Sequence, residues 1–490
     1  MPSKIRPLWT DFTYFPHQLE GINWMLDKEI NGTPVPNKDG TMNVLVRGGF
    51  QCDDMGLGKT IQITSAIINN IQPLTLLIAP LAMIDTWSNI LQKVGCAVYE
   101  VDKGATIPWK LMNDPDAPVP RQKTRPAVYV SNYEKLYHNP SLFKKQWNRV
   151  VLDEAHKIRN GDGEVARYAR KIVAPIRWVV TGTPLVNSLK DIVSLLAFLG
   201  VPYSKLWRWE PRYLRILPDL LIHRSLDSLR KVIKGAPPVP EINDVILPFT
   251  TKDEEEFYYG VQGATESMMK KYSNDLISSA EAFKLLLRLR QISVHPQVYI
   301  NAKRREDSGY NREDWLNAST KLDKVKEIIS EDDDSKVHKY IIFCQFNDEM
   351  SLIRQYLLNE CLVNDENILL YNGSMTQKER TEVLSTSKET TETTVLLLQL
   401  QAGGVGLNLQ EYDRIIFISP WWTSALMDQA IARAVRMGQT EIVKVYHLRL
   451  AAENDATINI DELINAKAEE KRKMLEKLFL MCSGDSHDDQ

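Results

Sequence analysis

The chain has 490 residues, 43% of them hydrophobic and 25% charged, with a formal net charge of −3. That is the composition of an ordinary soluble protein with length for about three domains, each with its own core. It removes bulk attraction as a basis for nucleic-acid binding, so any DNA contact must come from a local basic groove.

In chain order, the opening MPSKIRPLWTDF has no long apolar core, and no later stretch approaches a membrane span, so no membrane partner is expected. A strand-like NVLV (Asn43 to Val46) leads into DDMGLGKT (Asp53 to Thr60), and Ile61 to Ile71 carries the apolar spacing of a helix. Short apolar strands then alternate with helices at Leu76 to Ala79, Val128 to Ser131, Val150 to Asp153 and Trp178 to Thr183. The proline- and charge-rich Asp114 to Pro126 reads as a surface loop among them. From about Val201 to Thr320 the pattern turns longer and helical, as in EAFKLLLRLRQI (Glu281 to Ile292), interrupted by KGAPPVP (Lys234 to Pro240). The acidic run Glu331 to Asp334 breaks a helix and reads as a solvated face.

Strands resume at Tyr340 to Phe346, Ile368 to Tyr371, Val395 to Leu400, Arg414 to Ser419 and Val443 to Leu448. A helix is expected over SALMDQAIARAVRMGQ (Ser424 to Gln439), a charged one after Ala468, and a frayed SGDSHDDQ tail. The expected fold is therefore α/β, with two similar parallel sheets and an inserted helical region. The expected division is 1–200, 201–320, 321–465 and a C-terminal helix and tail at 466–490.

DDMGLGKT has the residue types a phosphate loop needs. Gly56 and Gly58 let successive amide N–H groups of Asp54, Met55, Gly56, Leu57, Gly58 and Lys59 wrap a phosphate at a helix start. Lys59 adds a positive charge for the outer phosphates of ATP, and the Thr60 hydroxyl is a hard ligand for Mg2+. Asp53 stands where a full Walker pattern would have glycine. In DEAH, Asp153 and Glu154 sit at the C-terminal end of a buried strand, the ligand edge of an open α/β sheet. Asp153 would hold the magnesium and Glu154 would orient and deprotonate the attacking water, although an Asp-Glu pair at a strand end also serves as a helix N-cap. Gln429, Arg433 and Arg436 fall on one face of the expected Ser424 to Gln439 helix. Arginine forks suit the charge of a transferring phosphoryl group, and ordinary ion pairing is the alternative.

The five cysteines, Cys52, Cys96, Cys344, Cys361 and Cys482, are odd in number and lack C-x-x-C spacing. Neither a disulfide framework nor a zinc module is supported, and a reducing compartment is expected. KRR (Lys303 to Arg305) and KRK (Lys471 to Lys473) are weak hints of nuclear import, and solvated helix charge is the preferred reading.

With these motifs stand FPHQLEGINWM (Phe15 to Met25), IAPLAMIDTW (Ile78 to Trp87), SNYEKL (Ser131 to Leu136), TGTPLVNSLKDIVSLLAFL (Thr181 to Leu199), LLRLRQISVHP (Leu286 to Pro296), YNGSMTQKER (Tyr371 to Arg380) and QAGGVGLNLQ (Gln401 to Gln410). In this order they resemble the Swi/Snf-type ATPases of helicase superfamily two from about Phe15 to Ile464, most like the compact viral global-transactivator branch. The resemblance implies two RecA-like lobes, ATP and Mg2+ as cofactors, and a split active site. It implies Gln18 on the adenine, Gly406 and Gln429 at the nucleotide, and Lys59, Asp153, Glu154, Arg433 and Arg436 in catalysis. It implies DNA contacts from Pro80, Thr181, Gln345, Gly373, Gly404 and Trp422.

Departures from the family pattern are Ser419, Thr423 and Ser424 in place of Asp, Asn and Pro, Ala432 and Val435 beside the arginines, and Gln401 where several branches have arginine. The implied activity is DNA-stimulated ATP hydrolysis driving translocation on double-stranded DNA and remodelling of protein–DNA complexes, with chromatin or transcription proteins as partners and the nucleus, a host's if viral, as location. A strand-separating helicase and a largely non-hydrolysing regulatory binding protein are the alternatives.

Overall fold

The computed structural model describes residues 5–36, 43–102, 105–108, 126–139, 141–201, 215–233, 235–273, 278–332, 336–360, 362–400, 407–451 and 459–483. It divides into two compact units, one of residues 1–234 with 471–490, the other of residues 235–470.

The first unit is built on the strands β1 (Thr33–Pro36), β2 (Asn43–Gln51), β3 (Leu74–Ala79), β4 (Ala97–Asp102), β5 (Ala105–Pro108), β6 (Ala127–Asn132), β7 (Arg149–Asp153), β8 (Ile176–Val180) and β9 (Leu221–Ile222). Their order is β1-β2-β8-β7-β3-β6-β4-β5, with β9 also paired to β2. The β1·β2 and β4·β5 pairs are antiparallel, and the central pairs are parallel. The central strands are apolar runs because both faces are buried. Leu76, Ile78, Val150 and Leu152 join one core cluster, while Leu77, Ala79 and Val151 join the cluster on the opposite face.

The helices α1 (Pro16–Ile30), α2 (Lys59–Asn69) and α3 (Ile84–Lys93) precede α4 (Glu164–Lys171) and α5 (Lys190–Leu199) in this unit. Glu29 of α1 is fully buried against Arg149 of β7, whose Nε donates to Glu29 Oε1 at 2.7 Å. Trp178 Nε1 donates to the same oxygen at 2.8 Å and Asn70 Nδ2 to the other at 2.7 Å, so this buried charge is paired and saturated.

The second unit carries an all-parallel sheet of β10 (Glu241–Leu247), β11 (Lys339–Cys344), β12 (Ile368–Tyr371), β13 (Thr394–Gln399), β14 (Arg414–Phe417) and β15 (Lys444–Leu450). The strand order is β10-β15-β14-β11-β13-β12. Tyr340 and Ile342 face one core, and Ile341 and Phe343 face the other. The helices α6 (Lys252–Ser273), α7 (Ser279–Val294) and α8 (Pro296–Glu306) precede α9 (Thr320–Glu331) and α10 (Asn347–Asn359). Tyr258, Leu289, Ile292 and Ile300 of this helical group share a core with Leu450, Ile460 and Ile464, so the inserted helices belong to the second unit.

The sequence reading departs from the structure in several places. The region expected to be longer and helical, interrupted at Lys234 to Pro240, also supplies β9 to the first sheet and β10 to the edge of the second. The helix expected over Ser424 to Gln439 is α12 (Ser424–Ile431), which follows α11 (Gln377–Glu389) and stops early. Beyond it the Arg433 carbonyl accepts from Leu409 N at 3.1 Å, and the Met437 carbonyl accepts from Gln410 Nε2. Those carbonyls are drawn to the 407–410 segment and out of a helical ladder. Gln429, Arg433 and Arg436 therefore do not share a helix face.

Of the acidic run, Asp332 is no solvated residue: it accepts from Arg414 Nη2 at 2.7 Å and Tyr340 Oη at 2.6 Å. Asp333 and Asp334 lie outside the described residues, as do Asp114 to Arg125 and Gly484 to Gln490. The last helix, α13 (Ile460–Ser483), begins earlier than Ala468; its residues 460–470 belong to the second unit and 471–483 to the first.

At the start of α13, Asp461 meets Lys321 Nζ at 2.6 Å with both side chains almost fully buried. Lys321 also donates to Ser293 Oγ and Ser419 Oγ at 3.0 Å, and Leu450 N donates to Asp461 at 3.0 Å. Because Ser419 is neutral, Asp461 is the carboxylate that balances this ammonium. Removing one partner of a buried pair costs about 3–5 kcal/mol, so Asp461→Asn is expected to destabilise the second unit by that order. A urea titration checks it: the midpoint should fall clearly, and an unchanged midpoint would contradict the pairing.

Candidate active site

The first sheet brings the nucleotide motifs to one edge. β2, β3, β6, β7 and β8 end respectively before Asp53, Pro80, Tyr133, Glu154 and Thr181. The carboxyl ends of parallel strands are where an open α/β sheet binds ligands.

The loop from Cys52 to Gly58 turns on Gly56 at φ 85° and Gly58 at φ 81°, left-handed conformations that favour glycine. A Cβ at Gly58 would also stand 2.5 Å from Gln18 Nε2. Lys59 opens α2, and its ammonium donates to the carbonyls of Asp53 at 2.7 Å and Asp54 at 3.2 Å. Leu57 is buried, its carbonyl accepting from His17 Nε2 at 3.0 Å and Gln18 Nε2 at 3.4 Å, while Met55 and Gly56 form the open tip of the loop. Gln18, expected on the adenine, is buried, and its Oε1 accepts from Phe15 N at 3.1 Å.

Asp53, the departure from the Walker pattern, is fully buried and clamped. Arg224 donates Nε to Oδ1 at 2.9 Å and Nη2 to Oδ2 at 2.6 Å, and Gln51 and Gln62 add amide donors at 2.8 and 2.9 Å. Burial alone would raise the Asp53 pKa, but Arg224, Gln62 and Gln51 together hold it below the usual carboxylate range. Neighbouring Asp54 accepts from Leu226 N at 2.8 Å and His223 Nε2 at 3.3 Å, and its own N–H donates to the Arg224 carbonyl at 3.0 Å. The loop is thus bolted to the segment that begins at β9.

Asp153 ends β7 as a buried carboxylate. Trp87 Nε1 donates to Oδ2 at 2.7 Å, Glu154 N donates to Oδ1 at 3.0 Å, and Tyr133 Oη donates to the Asp153 carbonyl at 2.6 Å. Burial, and then the charge of Glu154, push its pKa up to about 6, with Trp87 and Lys59 pulling the other way. Glu154 adopts φ 51° and ψ 48°, a left-handed conformation that costs a non-glycine residue about 1–3 kcal/mol and is typical of functional sites. His156 Nδ1 lies 3.3 Å from both Glu154 Oε2 and Thr181 Oγ1, and Thr183 N donates to Thr181 Oγ1 at 3.2 Å. His156 therefore stands between the carboxylate and the end of β8.

Thr60 and Asp153 supply hard oxygens suited to a Mg2+ that takes its remaining ligands from phosphates and water. Among the described residues there is no group of three or more His, Cys, Asp or Glu that could cage a metal.

The remaining expected residues are placed as follows. Thr181 and Pro80, expected at the DNA, are buried; Thr181 is 0% exposed with its hydroxyl in the Glu154 network, and Pro80 accepts from Met83 N at 2.8 Å. In the second unit, Gln345 follows β11, accepting from Arg290 and donating to the Pro420 carbonyl at 3.4 Å. Gly373 is exposed after β12, and its N–H donates to Gln399 Oε1 at 2.9 Å. Trp422 packs partly on the helical core, whereas Trp421 packs on the sheet core. Gln429 is buried in α12. Arg433 and Arg436 are half-buried in the turns beyond it, and Arg436 donates to the Leu407 carbonyl at 3.5 Å. Burial lowers the Arg436 pKa. Gly404 and Gly406 lie outside the described residues, with Gln401.

Arg224, His223 and the bond from Trp87 were not foreseen. A buried acid in place of a loop glycine was the available signal, since such an acid needs a cation. Leaving Asp53 buried without its guanidinium should cost about 3–5 kcal/mol, so Arg224→Met is expected to lower the unfolding midpoint of the first unit. Asp53→Gly combined with Arg224→Met should restore part of the loss in thermal unfolding; an equal or greater loss in the double variant would contradict the clamp.

Residues 17–298 match the model of the SNF2-related domain, and residues 320–438 match that of the helicase conserved C-terminal domain. A protein described as a probable global transactivator, from Orgyia pseudotsugata multicapsid polyhedrosis virus, is 27% identical over 94% of this chain and 91% of its own length. An ISWI chromatin-remodeling complex ATPase of Saccharomyces cerevisiae is 25% identical over 94% of this chain. The chain spans only 40% of that yeast protein and 42% of an uncharacterized ATP-dependent helicase of Mycoplasma genitalium. Among solved structures, the Sulfolobus solfataricus SWI2/SNF2 ATPase core in complex with dsDNA is 22% identical, covering 99% of this chain and 96% of that one, with a TM-score of 0.39. With the SNF2-related model matching more than half of its length, this chain belongs to the SNF2-related family of helicase-like proteins.

Proposed function

We propose that the chain is a DNA-stimulated ATPase that translocates on double-stranded DNA and remodels protein–DNA complexes, in transcription regulation or viral DNA metabolism and in a nucleus. The observation that carries the chemical half of this reading is the pairing, on one sheet edge, of a lysine-bearing phosphate loop with two carboxylates, one raised to about 6 and the other held at φ 51°. The relatives' descriptions as remodelling ATPases, helicases and a transactivator support the biological half.

In this reading Lys59 and the loop amides hold the phosphates, except the Asp54 amide, which already donates to the Arg224 carbonyl. Glu154, beside His156, orients the attacking water and takes its proton. Thr60 and Asp153 hold Mg2+, which when bound neutralises phosphate charge. Arg433 and Arg436 are assigned to the charge that develops on the transferring phosphoryl group. DNA is gripped chiefly through its phosphates, by backbone N–H groups, hydroxyls and basic side chains, which implies little sequence preference and a marked salt dependence. With a net charge of −3, grip has to be local.

Lys59→Ala is expected to abolish ATP turnover with the fold intact by circular dichroism. Glu154→Gln should still bind ATP but hydrolyse it ~10²- to 10⁴-fold more slowly, the range of a lost general base. Persistent DNA-stimulated turnover in the Lys59 variant would refute the site. A triplex-displacement assay set beside duplex unwinding tests the mechanical half: displacement without unwinding is expected, and unwinding would favour a strand-separating helicase.

A further inference from the structure

Each hold on the phosphate loop has a different depth. The Asp53 side chain is fully buried and the Leu57 carbonyl faces buried His17 and Gln18, but the Asp54 side chain is 39% exposed and its His223 partner 18%. Leu226 N holds Asp54 Oδ2 at 2.8 Å, but the bond from His223 to Oδ1, at 3.3 Å between two partly exposed side chains, is poorly fixed unless something restricts the imidazole, because both rotamers compete with water.

That restriction comes from the far end of the chain. The Phe479 ring lies parallel to the His223 ring, with centroids 3.5 Å apart and an interplanar angle of 1°. Phe479 belongs to the part of α13 within the first unit, where Leu475, Leu478 and Cys482 pack on the same core cluster. About two turns before Phe479 on the same helix, Lys471 Nζ donates to Asn187 Oδ1 at 3.1 Å, in the loop that follows Thr181 and Thr183. Residues 471–483 thus touch both the segment that holds Asp54 and the loop beyond β8.

We propose that Phe479 is a positioning residue for the phosphate loop: its ring fixes the plane of His223, whose Nε2 holds Asp54, so that the C-terminal helix sets the affinity for nucleotide. The proposal rests on the ATPase reading above. Phe479 touches no reacting group and acts only through His223. Its loss should therefore weaken nucleotide binding far more than it slows the chemical step, since Asp153, Glu154 and Lys59 keep their own partners.

The test uses the full chain, with steady-state ATP hydrolysis and direct binding of a fluorescent ATP analogue. Phe479→Ala is expected to raise the KM for ATP and the analogue Kd ~3- to 10-fold, the range an aromatic pair contributes, with kcat changed less than about twofold. His223→Ala should do the same, and the double variant should be no worse than either single one, the mark of a coupled pair. Phe479→Tyr should restore the wild-type KM. Leu475→Ala, which packs on the same core one turn before Phe479, should lower the melting temperature and leave KM alone. An unchanged KM in Phe479→Ala, additive effects in the double variant, or an equal KM shift in Leu475→Ala would overturn the proposal while leaving the ATPase reading intact. A wild-type chain that neither binds nor hydrolyses ATP would overturn both.

Discussion

The buried pair of Asp53 and Arg224 is the interaction on which the candidate site depends. The loop bends at Gly56 and Gly58, whose conformations cost other residues energy, so its shape depends on how the residues around those glycines are held. Asp53 converts the base of the loop into an anchored point, because a fully buried carboxylate with a bidentate guanidinium and further amide donors has one satisfied geometry. Arg224 reaches the loop from just beyond β9, so the short strand pairing of Leu221 and Ile222 with β2 sets where that guanidinium stands. From this anchor the loop runs to Lys59 at the head of α2, near the carboxylates at the end of β7.

The same logic recurs elsewhere in the molecule. Glu29 with Arg149 in the first unit, and Lys321 with Asp461 in the second, are charges removed from water whose every polar atom finds a partner among several elements. Such pairs add little net stability over an apolar filling but are costly to break. At the candidate site the arrangement differs. Asp153 is buried beside another acid, and burial first and that neighbour second raise its pKa.

Much of this was legible in the sequence. The central strands of both sheets read as continuous apolar runs because both of their faces are buried, and the motifs fall at strand ends because parallel sheets bind ligands there. Strands at or near the edges were harder. β1 is TPVP, with prolines suited to an edge, and β10 reads EINDVIL with a largely exposed pattern. The Ala-, Met- and Val-rich stretch after Ser424 has helical spacing throughout, yet α12 ends at Ile431 because carbonyls beyond it bond to residues 409 and 410. Arg224 could not be read as a loop residue at all, since its partner Asp53 lies 171 positions earlier. The stacking of His223 on Phe479 is hidden for the same reason.

The most direct test of the central claim, that this edge is a nucleotide and magnesium site coupled to DNA, is ATP turnover by the intact chain with and without duplex DNA in the presence of Mg2+. The account predicts measurable hydrolysis that rises on adding duplex DNA of unrelated sequences and falls back as salt is raised. A rate of zero under both conditions would contradict it.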